Sequence, residues 1–228
     1  MRDREIADMF DRIAPKYDAL NRVISFGTDV LWRRRALALA RLGTGERALD
    51  VGAGTGDLAL GLLRRSAPGA AVLGIDLAPR MLAISTRRTR PSERYAVAIA
   101  NAEHVPLADR SVDRVISGFT LRNVGDLARS LREIRRVLRP GGTAVVLELS
   151  HPPHAAVRRI YLAYFERVLP VIAAMLGGDP EAYRYLPRSL RAFPSAERLA
   201  AMLREAGFRD VRFERLTFGI AAIHVARA

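Results

Sequence analysis

The feature that most constrains the fold is a regular alternation of short apolar runs and amphipathic stretches in the middle of the chain. Five apolar runs are typical of buried strands: RALDVG, AVLGID, YAVAIAN, RVISGF and TAVVLEL. Helical periodicity marks the stretches 58–65, 79–87 and 127–138, and the last of these is followed by the helix-stop sequence RPGG at 139–142. Apolar strands that alternate with helices predict a mostly parallel sheet covered on both faces.

The flanking segments complete a single predicted domain over residues 1–228, a size that suits one sizeable core. Residues 1–42 are expected to form a helical N-terminal cap, interrupted near Pro15 and at the SFG of 25–27. The strand–helix core would span 43–150, and a helical insertion with a strongly apolar helix over 160–176 would span 151–195. Residues 196–228 predict a helix followed by two strands, which adds an antiparallel C-terminal strand to a seven-stranded sheet.

The first apolar run ends in the loop GAGTG, with Gly52, Gly54 and Gly56 at alternate positions. A Walker A loop would need Gly-Lys-Ser/Thr, and a dinucleotide loop would have its third glycine where Asp57 stands. Asp50 precedes the loop, so a pyrophosphate would meet two carboxylates. S-adenosylmethionine has no phosphate and carries an ammonium and a sulfonium, so we interpret the loop and both carboxylates as its binding site. A turn or helix-capping role is the alternative for the two aspartates.

Two further positions support this cofactor. Asp76 ends the second predicted strand, where its carboxylate could accept hydrogen bonds from the ribose hydroxyls. Asn101 and Ala102 follow the third strand, where an adenine edge could be bound. The same layout, ending in VLRPGG before the fifth strand, resembles the class I, Rossmann-like methyltransferases that use S-adenosylmethionine.

The flanking motifs resemble one family of these enzymes, the UbiE/MenG-type C-methyltransferases of quinone biosynthesis. The resemblance runs from about Ile6 to Val225 and rests on MFDRIAPKYDALNRVISFG with Trp32, SGFTLRNV, EAYRYLPRSLRAFP and LTFGIAAIH. It implies C-methylation of a prenylated quinol ring, demethylmenaquinol or alternatively a ubiquinone precursor. It also implies that the cofactor is contacted by Thr55, Asp76, Asn101 and Ala102. Gly118 stands where the family commonly has a serine that contacts the cofactor.

The chemistry of this reaction identifies candidate catalytic residues. The ring carbon becomes nucleophilic when the neighbouring hydroxyl loses its proton, which costs about 4 kcal/mol at pH 7 for a phenol of pKa about 10. Arg122 follows the fourth strand and could stabilise the phenolate, and Asn123 could orient the oxygen. Tyr17 and His224 are candidates for substrate hydrogen bonding or proton acceptance. The alternatives are a surface charge for Arg122, lid packing for Tyr17 and a core position for His224.

Composition limits the chemistry and suggests partners. The chain has no cysteine, which excludes disulfides, thiolate metal sites and a cysteine nucleophile, and its four histidines are scattered, so no metal site is predicted. The net charge of +13 favours anionic partners, although arginine-rich composition alone could produce it. We expect a cytoplasmic protein in peripheral contact with an anionic membrane, and the sequence also allows a homodimer. The membrane contact would use the apolar helix and Arg158, Arg159, Arg184, Arg188 and Arg191.

Three other functions compete with this one. A nucleic-acid methyltransferase would suit the positive charge, but the chain lacks a cysteine nucleophile and reads GFTLRN where an Asp/Asn-Pro-Pro-aromatic motif would stand. No nucleic acid is therefore expected as a partner. A non-catalytic scaffold in quinone synthesis is opposed by the intact glycine loop, and a dehydrogenase is opposed by Asp57.

Overall fold

The sheet in the computed structural model has the predicted parallel core with an antiparallel strand near its edge. The structure describes residues 3–90, 94–169 and 179–228. Within them, seven strands pair in the order β3-β2-β1-β4-β5-β7-β6, and β7 runs antiparallel to both of its neighbours. The strands are β1 Arg47–Val51, β2 Ala71–Asp76, β3 Tyr95–Ile99, β4 Val112–Gly118, β5 Leu138–Leu149, β6 Arg209–Leu216 and β7 Ala221–Arg227. This confirms the predicted fold class.

The helices follow the amphipathic stretches of the sequence. They are α1 Asp3–Ile13, α2 Tyr17–Ile24, α3 Thr28–Leu39, α4 Asp57–Leu63, α5 Pro79–Arg87, α6 Leu127–Val137, α7 Ala155–Ala163, α8 Pro180–Ala192 and α9 Ala196–Glu205. Pro15 lies in a 3-10 turn between α1 and α2, and the chain leaves the helical path again between α2 and α3. Both breaks fall where proline and the SFG sequence predict them.

Both faces of the sheet are buried because successive residues of each central strand point to opposite sides. On β5, Val146 packs into the cluster formed with α6 and α9, whereas Val145 and Leu147 pack into the cluster formed with α3 and α4. The near-continuous apolar runs of the sequence are therefore explained by helices on both sides.

The RPGG sequence ends α6 as predicted, but the next strand begins at once. Leu138 already pairs with Val112, and the following pair is Thr143 with Arg114, so the four residues 139–142 bulge out opposite a single residue of β4. The turn that was expected to separate helix from strand is thus the first part of β5.

The insertion forms a small second core beside the end of β5. Helix α7 continues into a π-helical turn, Tyr164–Val168, and its inner face packs with α2 and α8. This core contains Leu20, Tyr161, Phe165, Leu169 and Leu190. The predicted apolar helix over 160–176 begins earlier than expected, and its part within 170–178 lies outside the described residues. Among the described helices, none combines the length and the apolar character needed to cross a bilayer.

Candidate active site

The glycine loop joins β1 to α4 at the carboxyl edge of the parallel strands. Gly52 has φ +73°, and a Cβ there would stand 2.0 Å from Thr120 Oγ1 on the neighbouring loop. Gly54 has φ +53°, and a Cβ there would meet no atom within 4 Å, because the residue faces a cavity. The first glycine is thus required for packing, whereas the second leaves its backbone open to a ligand.

Asp76 lies at the end of β2 and is held by backbone groups on two sides. Its Oδ2 accepts a hydrogen bond from the Gly54 N–H at 2.9 Å, and its Oδ1 accepts one from the Ala78 N–H at 2.9 Å. Burial raises the pKa of Asp76, and these amides oppose the rise. Each carboxylate oxygen retains a second lone pair, so Asp76 can also accept hydrogen bonds from a diol in the cavity.

We call the space in front of this loop the glycine-loop cavity; its empty volume is about 720 Å³, including space open to solvent. Helix α1 forms its outer wall through Ile6 and Phe10. Eight of the residues singled out from the sequence line it: Tyr17, Gly52, Gly54, Asp76, Asn101, Ala102, Gly118 and Asn123. The structure therefore brings together residues from four strand ends and from the N-terminal cap.

Three predicted cofactor residues do not line this cavity. Asp57 contacts Arg88 at 2.6 Å, and Arg33 and Arg22 approach its carboxylate at 3.8 and 3.9 Å. The cations nearest to the Asp57 carboxylate are therefore arginines of the protein, where the sequence predicts a cationic ligand. Thr55 is buried and donates a hydrogen bond to Asp18 at 2.7 Å.

Asp50 is the third of these residues and is fully buried beneath the loop. No side chain among the described residues hydrogen-bonds to its carboxylate. Burial raises the pKa of Asp50 to about 7, and the Ala59 backbone N–H and the charge of Arg33 oppose the rise. Asp50 can therefore influence a ligand only through the loop that covers it.

A second space, which we call the apolar cavity, lies between α2, α3, α7 and α8; its empty volume is about 1160 Å³, including space open to solvent. Its wall is largely apolar and aromatic: Ile24, Phe26, Trp32, Leu149, Val157, Ile160, Tyr164, Phe165, Leu186 and Ile220. Phe119 lines both cavities, and its backbone has φ +61°, in the left-handed region. One aromatic side chain, at a strained position after β4, thus separates the two spaces.

Arg122 and Asn123 flank this aromatic wall on different sides. Arg122 lines the apolar cavity, and its Nη1 donates hydrogen bonds to the Phe119 carbonyl at 2.6 Å and to Glu148 Oε1 at 3.1 Å. Only 8% of the Arg122 side chain and 2% of the Glu148 side chain are exposed. Burial raises the pKa of Glu148, and Arg122 opposes the rise. The guanidinium of Arg122 therefore lies at the apolar cavity as one partner of a buried ion pair with Glu148.

Sequence reasoning missed the partners of both residues. Glu148 stands within the apolar run TAVVLEL, which predicts a buried strand. A buried carboxylate needs a cationic partner, so this position was the only signal in the sequence for the ion pair with Arg122. Asn123 lines the glycine-loop cavity, donates to the Phe119 carbonyl at 3.2 Å and accepts from the Tyr185 hydroxyl at 3.1 Å. Tyr185 comes from α8, which the sequence pattern could not place opposite β4.

The structure places His224, a candidate for substrate hydrogen bonding or proton acceptance, in the core and away from both cavities. The side chain is buried on β7, its Nε2 lies 2.8 Å from the Ala196 carbonyl oxygen, and its ring stacks on Phe213 at 5.2 Å. It lines neither cavity. Burial lowers the pKa of His224, which is typical of a neutral core histidine. Across the described ranges, no three His, Cys, Asp or Glu side chains come together as metal ligands would.

The fold and the glycine-loop cavity define an S-adenosylmethionine-dependent methyltransferase of the Rossmann-like class. A methyltransferase of Thermotoga maritima, described as a possible histamine N-methyltransferase, shares this fold with a TM-score of 0.70, 22% identity and coverage of 97% of this chain and 98% of that one. The model of the ubiE/COQ5 methyltransferase family matches residues 1–228. The chain belongs to this family, as its motifs predict.

Two relatives are similar over nearly their whole length. The demethylmenaquinone methyltransferase of Thermus thermophilus is 50% identical over 220 residues, which cover 95% of this chain and 98% of that protein. The ubiquinone/menaquinone biosynthesis C-methyltransferase UbiE of Geobacter sulfurreducens is 45% identical over 222 residues, covering 96% and 86%. The predicted cofactor, S-adenosylmethionine, agrees with this family.

Proposed function

We propose that this protein transfers the methyl group of S-adenosylmethionine to a ring carbon of a prenylated quinol, with demethylmenaquinol as the substrate. The observation that carries the proposal is the pair of adjacent cavities, which share Phe119 and differ in character. The glycine-loop cavity has a glycine loop and a carboxylate that suit the cofactor. The apolar cavity has an apolar wall and a buried arginine that suit a hydrophobic quinol ring. The names of the Thermus and Geobacter relatives support the same substrate class.

The residues of the glycine-loop cavity fit the cofactor. Asp76 would accept the ribose hydroxyls, Asn101 and Ala102 would hold the adenine, and the open backbone at Gly54 would admit the methionine portion. When bound, the cofactor supplies an electrophilic methyl group. The chain's own contribution is to hold the quinol carbon in line with that methyl, and such positioning can lower the barrier by about 7–11 kcal/mol.

Arg122 would stabilise the phenolate that forms when the ring hydroxyl loses its proton. Its guanidinium is fixed by Glu148 and the Phe119 carbonyl before any substrate binds, so little reorganisation is needed as charge develops on the ring oxygen. The apolar surroundings exclude water and strengthen this interaction. Asn123 would orient the oxygen from the cofactor side, and Tyr17, which lines the same cavity, stays a candidate for hydrogen bonding or proton acceptance.

A methyl-transfer assay tests this function and its alternative. The purified protein is incubated with radiolabelled S-adenosylmethionine and short-chain analogues of either demethylmenaquinol or the ubiquinone precursor, 2-methoxy-6-polyprenyl-benzoquinol. We expect label to enter the naphthoquinol ring with the higher kcat/KM. Preference for the benzoquinol would transfer the assignment to ubiquinone synthesis. Absence of label in both quinols, with the cofactor bound, would refute the proposed function.

We further propose that the protein collects its prenylated substrate at a membrane surface. Three exposed apolar side chains lie at or next to the apolar cavity: Phe26 and Ile160 line it, and Phe218 follows the lining residue Thr217. They are 77%, 72% and 76% exposed. The predicted arginines at 158, 159, 184, 188 and 191 are all exposed as well, and each can contribute about 1 kcal/mol on an anionic bilayer.

Flotation with anionic liposomes tests this contact. The protein should float with the vesicles at low salt and dissociate at high salt, because screening weakens the arginine contribution. The double variant Phe26→Ser/Phe218→Ser should lose most of the binding, whereas Ile99→Ser serves as a matched control, because Ile99 is 65% exposed but lies on β3. Equal flotation of all three proteins would contradict the role of the cavity opening. Homodimer formation stays a prediction, to be measured by sedimentation.

A further inference from the structure

Some side chains that line the apolar cavity carry buried polar atoms with no hydrogen-bond partner among the described residues. Among the described residues, three of the side chains that line it have a buried donor with no hydrogen-bond partner: Arg33 Nε, Arg122 Nε and Tyr161 Oη. An unsatisfied buried polar group is costly, so several such donors around one cavity favour a ligand that supplies acceptors. A prenylated quinol, apolar with two ring oxygens, has this character.

Tyr161 differs from the two arginines in that its polar group forms no ion pair and no hydrogen bond with the described residues. Arg33 lies near the carboxylates of Asp29 and Asp57, at 3.5 and 3.8 Å, and Arg122 is paired with Glu148. The Tyr161 ring, in contrast, is fixed by packing, with Phe165 edge-on at 4.6 Å, while only 6% of the residue is exposed. Packing therefore fixes the Tyr161 side chain at the cavity, and its hydroxyl has no hydrogen-bond partner in the described part of the chain.

The environment of Tyr161 makes its hydroxyl a donor. Burial raises the pKa of Tyr161 well above its usual value, and the charges of Arg122 and Glu148 both act on it. The group stays protonated at any pH at which the protein works, so it can donate to an oxygen but cannot remove a proton. Its electrostatic coupling to the buried ion pair indicates that Tyr161 and Arg122 serve the same region of the cavity.

We infer that Tyr161 binds the substrate directly, and that its hydroxyl donates a hydrogen bond to a ring oxygen of the quinol beside Arg122. The inference rests on the proposed function and adds a residue that the sequence motifs did not identify. A hydrogen bond to a charged oxygen is strong, and its loss should lower kcat/KM about ten- to hundredfold. Because the Tyr161 hydroxyl has no hydrogen bond to any of the residues in 3–90, 94–169 and 179–228, Tyr161→Phe should not lower the melting temperature.

Binding is measured through Trp32, which is the only tryptophan of the chain and lines the apolar cavity. Quenching of its fluorescence is titrated with menadione and with 2-methylnaphthalene, which lacks the two ring oxygens, in the presence of S-adenosylhomocysteine. The ratio of the two affinities reports on recognition of the oxygens and is independent of the folded fraction. Tyr95→Phe is the matched control, since the Tyr95 hydroxyl bonds to Ser85 at 3.2 Å and lines neither cavity.

The wild-type protein and Tyr95→Phe should prefer menadione by the same factor. Tyr161→Phe should reduce that preference at least fivefold, leave the affinity for 2-methylnaphthalene unchanged and lower turnover of the quinol. If the wild-type protein methylates a quinol and Tyr161→Phe retains both the preference and the turnover, the role of Tyr161 is refuted while the proposed function stands. If the wild-type protein methylates no quinol, it is the proposed function that fails.

Discussion

The buried ion pair of Arg122 and Glu148 makes a quantitative prediction about stability. Arg122→Met removes the cation and leaves the Glu148 carboxylate buried without its partner. Breaking a buried pair in this way costs about 3–5 kcal/mol. The Phe119 carbonyl retains the Asn123 amide as a donor at 3.2 Å, so most of the loss should come from the carboxylate. For a chain of this size we expect the melting temperature to fall by roughly 6–20 °C.

A double-mutant cycle separates the charge from the packing. Arg122→Met/Glu148→Leu removes both charges and should recover most of the lost stability, because a buried pair replaced by apolar residues is often as stable as the original. Burial favours the protonated form of Glu148, so the loss in Arg122→Met should be smaller at pH 5 than at pH 8. Urea unfolding of the wild type, Arg122→Met, Glu148→Leu and the double variant at both pH values provides the measurement.

The same cycle tests the catalytic role of the guanidinium. The double variant should fold and bind the cofactor yet transfer methyl groups about 10²–10³-fold more slowly, the loss typical of one donor that stabilises developing negative charge. The reasoning is refuted if Arg122→Met is within about 1 kcal/mol of the wild-type stability, or if the double variant remains as unstable as the single one. Normal turnover by the folded double variant would remove Arg122 from the chemistry.

Three further predictions concern the cofactor side. Asp76→Ala should weaken S-adenosylmethionine binding at least tenfold without unfolding the chain, and unchanged affinity in calorimetry would remove the ribose assignment. For Asp50, a folded pKa of about 7 against the ordinary 3.8 means that the neutral form stabilises the fold, and this stability is lost progressively as pH rises from about 4 to 7. The stability of Asp50→Asn relative to the wild type should therefore rise by about 2.7 kcal/mol between pH 5 and 7 and then level off, and a constant difference in urea unfolding from pH 5 to 8 would contradict it. Gly118→Ser should lower the melting temperature, because the serine Cβ would stand 2.5 Å from Leu58 Cδ1. A companion Leu58→Ala should relieve this clash. An unchanged melting temperature of Gly118→Ser would argue that Leu58 moves freely.

Local patterns predicted most of the fold because its elements are determined by local signals. The alternation of apolar runs gave the five parallel strands, and the helix–glycine–strand–strand ending gave the antiparallel edge. The spacing of the glycine loop and Asp76 likewise predicted two parts of one cavity, since the carboxyl ends of parallel strands meet at one edge of the sheet.

The features that local patterns do not predict share a physical cause, which is contact between residues far apart in the sequence. Arg88 lies 31 positions from Asp57, and no local pattern predicts that the two side chains pair. His224 stands among buried residues of β7, where the alternation of the strand allowed a core position as readily as a catalytic one. Glu148 and Tyr161 lie in apolar stretches, and only the folded structure shows that Glu148 pairs with Arg122 and that Tyr161 lines the apolar cavity.

Helix α1 is both a wall of the glycine-loop cavity and a bridge to the insertion. Near its start, the Asn101 amide donates to Asp3 at 2.6 Å, and near its end Arg12 pairs with Asp179 at 2.7 Å, immediately before α8. Movement of this helix away from the loop would widen the glycine-loop cavity for a nucleoside, and it would strain the attachment to α8, which lines the apolar cavity through Leu186. Exchange of spent cofactor and release of methylated quinol should therefore be kinetically linked, and loosening Arg12 should quicken the departure of both products together.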